Sequence, residues 1–590
     1  MASPTRTRRL RAAAAVLVVA VLPACASIPT SGPVRAGDDV RLERQDVAVP
    51  PIGEPPVRGA SPEDIVQGFL RASADFLADH AVARLYLAPE ARQRWRPSTG
   101  TSVFDRAQSP LAVTPNDDGT VTVRGAEVAT IDADGAFRRT PEGAEIARTF
   151  RMERVDGQWR IAELDDGLLL SLVDVQESFR PVSLYYLSPS RNTLVPDLVL
   201  LPELPGLSTK LVARLLRGPT SALRGAVTTA FPQGTQLQVQ SVPVSDGLAT
   251  VRLDENALKA DDDAREQMSA QIVWTLKQLG QEIQRIRITA GSEDLVVSGV
   301  SEEQSRDSWQ TYDPDVLSGS PNLYVVRKGQ VGRIIEDRFQ PVEGAAGAQG
   351  AGVRTPAVSL DGNSIAVVSG DGSTVSVGRL ARDAPLASVL SGRDLSRPSW
   401  DPNGNLWAVD RGTGSLFVLP AGAEAATAVE LPKLPGGRPR QVALSRDGAR
   451  IALVTGSDAG ARLVVGVVTG VDVLGTDEAG TGPSQVAVVS AREILPSLRA
   501  VRDVAWSSSS VLTPLGILNA LVPSPVETTI DGYQVREVEP QSELVSVAAA
   551  PVDQQSSPLV VGTADGRLEL FTSGRGWVGL GEGSDPAYPG

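Results

Sequence analysis

The sequence predicts a multidomain protein with three folded units in series: an α+β domain, an α/β domain and an all-β propeller of five or six blades. Three observations lead there. The chain has 590 residues, room for about three or four domains at roughly 150 residues each. Its hydrophobic pattern changes from helical spacing near residue 61 to alternation further on. Beyond residue 320 a glycine turn between alternating apolar segments recurs at Gly362, Gly404 and Gly448, and spacings of 42 and 44 residues mark propeller blades.

The first 24 residues are an export signal. Arg6, Arg8, Arg9 and Arg11 precede an apolar run of 11 residues, Ala12 to Leu22. A membrane-spanning helix needs about 20 residues, so the run fits a signal-peptide core. Leu22-Pro23-Ala24-Cys25 follows and resembles a bacterial lipobox, in which the cysteine is lipidated and becomes the mature N-terminus. Pro23 departs from the usual residue at that place, but Cys25 is the only cysteine of the chain. The resemblance implies an N-palmitoyl, S-diacylglycerol Cys25, with the protein held to the outer face of the cell membrane by acyl chains alone. General secretion and the twin-arginine route, at which Arg8-Arg9 hints, both stay open. Residues 25–60, rich in proline, glycine and charge, read as an extended tether.

Ser61-Pro62-Glu63-Asp64 is a helix start, with Ser at the N-cap and acids in the first turn. Ile65, Phe69 and Phe76, with Val66, Leu70 and Leu77, continue one apolar stripe, and a second helical stretch is expected from Ala81 to Trp95. Phe150, Met152, Trp159 and Ile161 alternate around Asp156-Gly157, a hairpin signal. Helices first and strands after give an α+β domain over residues 61–178, and Tyr86 to Arg92 resembles NTF2-like domains. A second unit spans residues 180–300: strands over Val182 to Leu187 and Leu194 to Leu201, a helix from Ser208 to Leu216 and a turn at Asp246-Gly247. A helix from Asp262 to Leu279 and a strand from Ile286 to Thr289 complete it. The order of Gly218-Pro219, Phe231-Pro232-Gln233-Gly234-Thr235, Asp246-Gly247 and the late helix resembles the GerMN domain of spore-germination and envelope proteins.

Residues 320–590 form the propeller. Val358 to Val367 returns as Trp400 to Val409 and again as Leu444 to Leu453, with weaker starts at Trp506-Ser507 and Val547-Ala548. The Asp-Gly turns resemble the TolB and WD40-like repeat.

Composition narrows the chemistry. A formal charge of −14 excludes a broad nucleic-acid footprint. Removing residues 1–24 takes away four arginines and no acids, which leaves −18 and favours a partner with basic patches. One cysteine and one histidine exclude an intrachain disulfide, cysteine-based zinc sites and multi-histidine metal sites, and any Ser/His/Asp or Cys/His catalysis would have to use His80. His80 reads as a surface or capping residue, and Asp261-Asp262-Asp263 and Glu302-Glu303 as helix starts and solvated faces. Asp401, Asn403 and Asn405 read as a tight turn rather than a calcium loop, and Gly344 to Gly352 as a flexible loop. Trp95, Trp159, Trp274, Trp400, Trp407 and Trp506 read as core. No catalytic group, metal or cofactor site is expected.

Lipobox, tether, Ile28 to Pro33, the GerMN-like unit and the propeller, in that order, resemble the LpqB-type lipoproteins of actinobacteria, and 51 arginines against five lysines suit a GC-rich genome. That resemblance implies a non-enzymatic accessory protein of the MtrA–MtrB two-component system. It would bind the extracytoplasmic part of an MtrB-like sensor histidine kinase and affect cell-wall homeostasis and division. A cell-wall polymer or glycan-binding lipoprotein without a kinase partner is the alternative.

Overall fold

A reciprocal cap starts the first helix of the computed structural model, which describes residues 53–315, 322–336, 338–470, 486–541, 543–551, 558–572 and 574–590. The Ser61 hydroxyl accepts from the Asp64 N–H at 3.1 Å, and the Asp64 carboxylate accepts from the Ser61 N–H at 3.2 Å. The helix, Pro62–Ala72, buries Ile65, Val66 and Phe69. It is shorter than its apolar stripe. The Ser73 hydroxyl donates to the Phe69 carbonyl at 2.7 Å, and Ala78, Asp79 and His80 then take φ of 46°, 56° and 58°. Phe76 therefore packs from a loop, edge-on to Phe179 at 5.1 Å, and Leu77 is exposed. The second helical stretch is broken in two, Ala81–Arg84 and Pro89–Arg94. Proline disfavours helical backbone in the residue before it. The Ala88 N–H instead donates to the Ile161 carbonyl at 2.9 Å.

Two four-stranded sheets complete this α+β domain. One runs Ala112–Pro115, Thr120–Ala126, Glu145–Val155, Gln158–Glu163, and its hairpin turns at Asp156 and Gly157, φ 52° and 75°. Two successive positive φ values are those of a type I′ turn, whose twist matches the strands. The other runs Phe137–Arg139, Ala129–Asp132, Gly100–Phe104, Leu168–Ser171.

The second domain pairs Phe179–Leu187 with Leu194–Pro202, and Leu248–Leu253 in parallel with Arg285–Ala290 across the helix Asp262–Lys277. Asp261 caps that helix through the Ala264 N–H at 2.8 Å. Met268 to Leu276 are buried all round, polar residues included. Gln271, Thr275 and the following Gln278 face the edge of Phe179–Leu187, whereas the Ser269 hydroxyl accepts from Gln304 at 3.3 Å. Gln271 Nε2 donates to the Tyr185 carbonyl at 2.8 Å, Gln278 Nε2 to the Ser183 carbonyl at 2.7 Å, and Thr275 Oγ1 accepts from the Tyr185 N–H at 3.2 Å. An otherwise unpaired strand edge is thus satisfied by side chains of a helix. The domain extends past residue 300: Glu303–Ser305 pairs with Arg285–Ala290, and Tyr312 joins the core.

Six four-stranded blades follow among the described residues. Blades two to six begin with innermost strands Val353–Val358, Ser399–Trp400, Pro439–Leu444, Arg499–Ser508 and Leu544–Ala549. Blade one takes its innermost strand from the other end of the propeller: Ser584–Ala587 pairs with Leu323–Arg327 and closes the ring. Trp400 and Trp506 lock neighbouring blades, their indoles donating to the Ala357 and Ala443 carbonyls at 3.2 and 3.1 Å. Gly344 to Gly352 is not the loose loop expected. Ala345–Gly347 is a short 3-10 turn, tied by the Ala345 N–H to the Ala384 carbonyl at 3.0 Å. Residues 1–52, with Cys25 and most of the tether, lie outside the described residues. Gly53 is the first described, and its N–H donates to Asp75 at 3.1 Å.

The three domains pack on one another within one unit, Pro50–Gly590. Arg139 Nε donates to the Gly532 carbonyl at 3.0 Å, Arg450 donates to the Pro196 carbonyl, and the Leu200 N–H donates to the Gly135 carbonyl at 2.8 Å. Asp315 accepts from the Ser509 N–H at 2.6 Å and hydroxyl at 3.0 Å. Burial pushes its carboxyl up to about 6, against the pull of those two hydrogen bonds.

Candidate interaction surface

The turns joining first and second strands of each blade lie on one face of the propeller, and the second domain meets that face through Arg450 and Ser509. The opposite face carries the loops between second and third strands and those between blades. Its centre is closed by a buried ion pair. Arg397 reaches from blade three to Asp503 on blade five at 2.7 and 2.8 Å, and also donates to the carbonyls of Pro586 at 3.1 Å and Val547 at 3.3 Å. Asp503 in turn accepts from the Val547 N–H at 2.9 Å. One guanidinium thereby joins blades three, five and six to the closing strand.

Around that bolt stand Arg354, Arg411, Arg440 and Arg502. Arg354 and Arg411 share Asp394 at 3.1 and 3.7 Å, and Arg440 pairs with exposed Asp458. Arg502 donates to the Leu544 carbonyl at 2.6 Å and meets no carboxylate among the described residues. Burial lowers the Arg411 guanidinium, with Arg354 and Arg440 adding to the effect and Asp394 and Asp503 opposing it. Arg411, Arg440 and Arg502, with Val545, line a groove of about 580 Å³. Val545 is 43% exposed, and Leu521, in a loop of blade five on the same face, is 98% exposed. Arginine is enriched in protein-binding surfaces, and the exposed side chains of Val545 and Leu521 add apolar area to this face.

The sequence-predicted residues fall elsewhere. Asp401 is a turn acceptor, taking the N–H groups of Asn403 and Asn405 at 2.9 and 3.0 Å and the Trp407 indole at 3.0 Å. Glu303 bridges Arg285 and Arg287. Five of the six tryptophans are core, while Trp159 is half-buried under Arg154, 4.5 Å from its ring centre. His80 is not on the surface: it holds the N-cap position of Ala81–Arg84 without a side-chain cap hydrogen bond, is 5% exposed and set between Phe76 and Trp95, and burial lowers it from the usual histidine range. Cys25 lies outside the described residues. Among the described residues no group of three His, Cys, Asp or Glu is placed to hold a metal, and no helix is long and apolar enough to cross a membrane.

The groove arginines were missed, although a signal existed. Arg440 of the groove, and Arg354 beside Arg411, each precede the turn glycine of their repeat by eight residues. Positions on the same strand of successive blades converge on the central channel.

Comparison with known proteins now adds family evidence. Residues 55–176 match the family "Lipoprotein LpqB, N-terminal domain", 183–296 "Sporulation and spore germination", and 329–589 "Lipoprotein LpqB beta-propeller domain". Lipoprotein LpqB of Thermobifida fusca is 32% identical over 99% of this chain and all of that protein. The chain belongs to the LpqB lipoprotein family. Lipoprotein LpqB of Streptomyces coelicolor is 31% identical over 97% of this chain and 96% of its own. Among solved structures, the first GerMN domain of GerM from Bacillus subtilis aligns at 19% identity with 22% of this chain and 99% of its own, TM-score 0.19. Membership in LpqB thus covers all three folded units and makes the chain a lipoprotein, which implies a membrane-anchored extracytoplasmic location.

Proposed function

We propose that this lipoprotein is a non-enzymatic accessory partner of a two-component sensor kinase, held at the extracytoplasmic face of the cell membrane by a diacylated and palmitoylated Cys25. Its propeller docks the extracytoplasmic domain of an MtrB-like kinase through the groove of Arg411, Arg440 and Arg502 and tunes a signal for cell-wall homeostasis and division. The observation that carries this reading is the division of the propeller: one face meets the protein's own second domain, and the other presents arginines beside exposed Val545. The whole-chain charge favours a basic partner, whereas this surface is locally cationic and fits an acidic segment of one. An anionic wall polymer suits the same groove and is the second reading. Crosslinking and affinity capture from membranes with Cys25 intact separates the two. A kinase crosslinked to blades three to six supports the first, and recovery of wall polymer without kinase transfers the assignment to the second.

A further inference from the structure

Between the first and second domains lies a cavity of about 420 Å³, within the range of small-ligand sites, roughly 300–1,000 Å³. Its walls divide by chemistry. Phe76, Leu168, Phe179 and Leu200 form an apolar side. Lys210, Arg214 and Arg217 line it from the helix Leu207–Leu216 and the residue that caps it. Spacings of four and three residues place all three cations on one stripe of the helix.

The charges of this stripe are only partly balanced by the protein, although Asp79, Asp132 and Asp134 also line the cavity. The buried Arg214 Nη2 faces Asp134 at 3.5 Å, an ion pair without a hydrogen bond, while Nε and Nη1 donate to the Asp134 and Gly218 carbonyls at 3.1 and 2.7 Å. Asp79 is committed to Arg84 at 2.6 Å and Asp132 lies 3.8 Å from Arg138. Lys210 and Arg217 have no ion pair among the described residues. Burial with no opposing carboxylate lowers Lys210.

A second feature belongs to the same wall. His80 lines the cavity, and its Nδ1 is buried without a partner. It is delivered by three successive non-glycine residues in the left-handed region, Ala78, Asp79 and His80, a backbone unfavourable for residues that carry a Cβ. Such strain persists where a surrounding structure imposes it and clusters at ligand sites. One buried ring nitrogen without a partner, on His80, and two cations without an ion pair, Lys210 and Arg217, thus belong to residues that line one half-apolar chamber.

We propose that this cavity binds a small amphiphile with one anionic head, a carboxylate or phosphate monoester. The head is held by Lys210, Arg214 and Arg217, and the tail lies against Phe76, Leu168, Phe179 and Leu200. These residues are separate from the propeller groove, so the proposal stands apart from the kinase assignment.

Isothermal titration of the chain from residue 26 onward tests it, with n-octyl phosphate, octanoate, octan-1-ol and inorganic phosphate as probes. One of the two amphiphilic anions binds a single site at least tenfold more tightly than both octan-1-ol and inorganic phosphate. Lys210→Glu weakens that binding at least tenfold, and Ala213→Phe, which fills the chamber from the same helix, abolishes it. Circular dichroism checks that both variants stay folded. Absence of saturable binding by either amphiphile overturns the proposal. So does octanol or free phosphate binding as tightly as the amphiphile, or amphiphile binding unchanged in both folded variants.

Discussion

Gly362, Gly404 and Gly448 occupy the same turn in successive blades, with φ of 71°, 81° and 72°. The surroundings separate them. A Cβ on Gly448 would lie 2.9 Å from Pro402 Cγ, whereas one on Gly362 meets nothing within 4 Å. Gly448→Val is expected to lower stability by about 1–3 kcal/mol in urea unfolding, and Gly362→Val by less. Asp315 gives a prediction in pH. Its folded carboxyl holds a proton up to about 6, above the value of about 3.9 for an unfolded aspartate. Its contribution to stability therefore falls as pH rises from about 4 to about 6. Asp315→Asn keeps an acceptor for Ser509, so it should raise the thermal midpoint at pH 7.5, leave it nearly unchanged at pH 4, and flatten the slope between. The turn glycines were legible because φ > 0 favours glycine. His80 was not, because Ala78 and Asp79 give no sequence sign of left-handed backbone.

At the scale of elements, helix starts were legible and some ends were not. Ser61 and Asp261 announce their helices through capping chemistry, and Pro89 explains why the expected stretch from Ala81 to Trp95 is two helices. The polar residues of Asp262–Lys277 hid their role, since nothing local says that Gln271 finishes a strand edge. Gln271 takes the Ala230 N–H at 2.9 Å as well as donating to Tyr185. Gln271→Leu leaves two buried backbone groups unpaired and should cost about 2–5 kcal/mol by urea denaturation. Arg397 is the matching case in the propeller. Arg397→Ala strands Asp503 and should destabilise by about 3–5 kcal/mol, while Arg397→Met with Asp503→Leu recovers much of the loss. The repeat position of Arg440 was legible, but the groove as a whole was not, because Arg411, Arg440 and Arg502 come together only when separate blades close into a ring.

At the scale of the molecule, the order of domains was legible from periodicity and repeats, and the blade count was left at five or six because blade one is assembled from both ends of the propeller. The later blades also lose the Asp-Gly turn between their first two strands: blade five uses Ser509-Ser510 there. The proposed membrane anchor is Cys25. Cys25→Ala should release the protein from membranes in fractionation with labelled fatty acid, and full retention without label would count against the lipobox. Partner docking is the central claim, and surface plasmon resonance between the lipid-free protein and the extracytoplasmic domain of an MtrB-like kinase tests it most directly. Saturable binding is predicted, with an association rate that falls as salt rises and an affinity at least tenfold weaker in Arg411→Glu with Arg502→Glu. Equal binding by the wild type and that double variant, or no binding at any salt while wall polymer binds, would contradict the account.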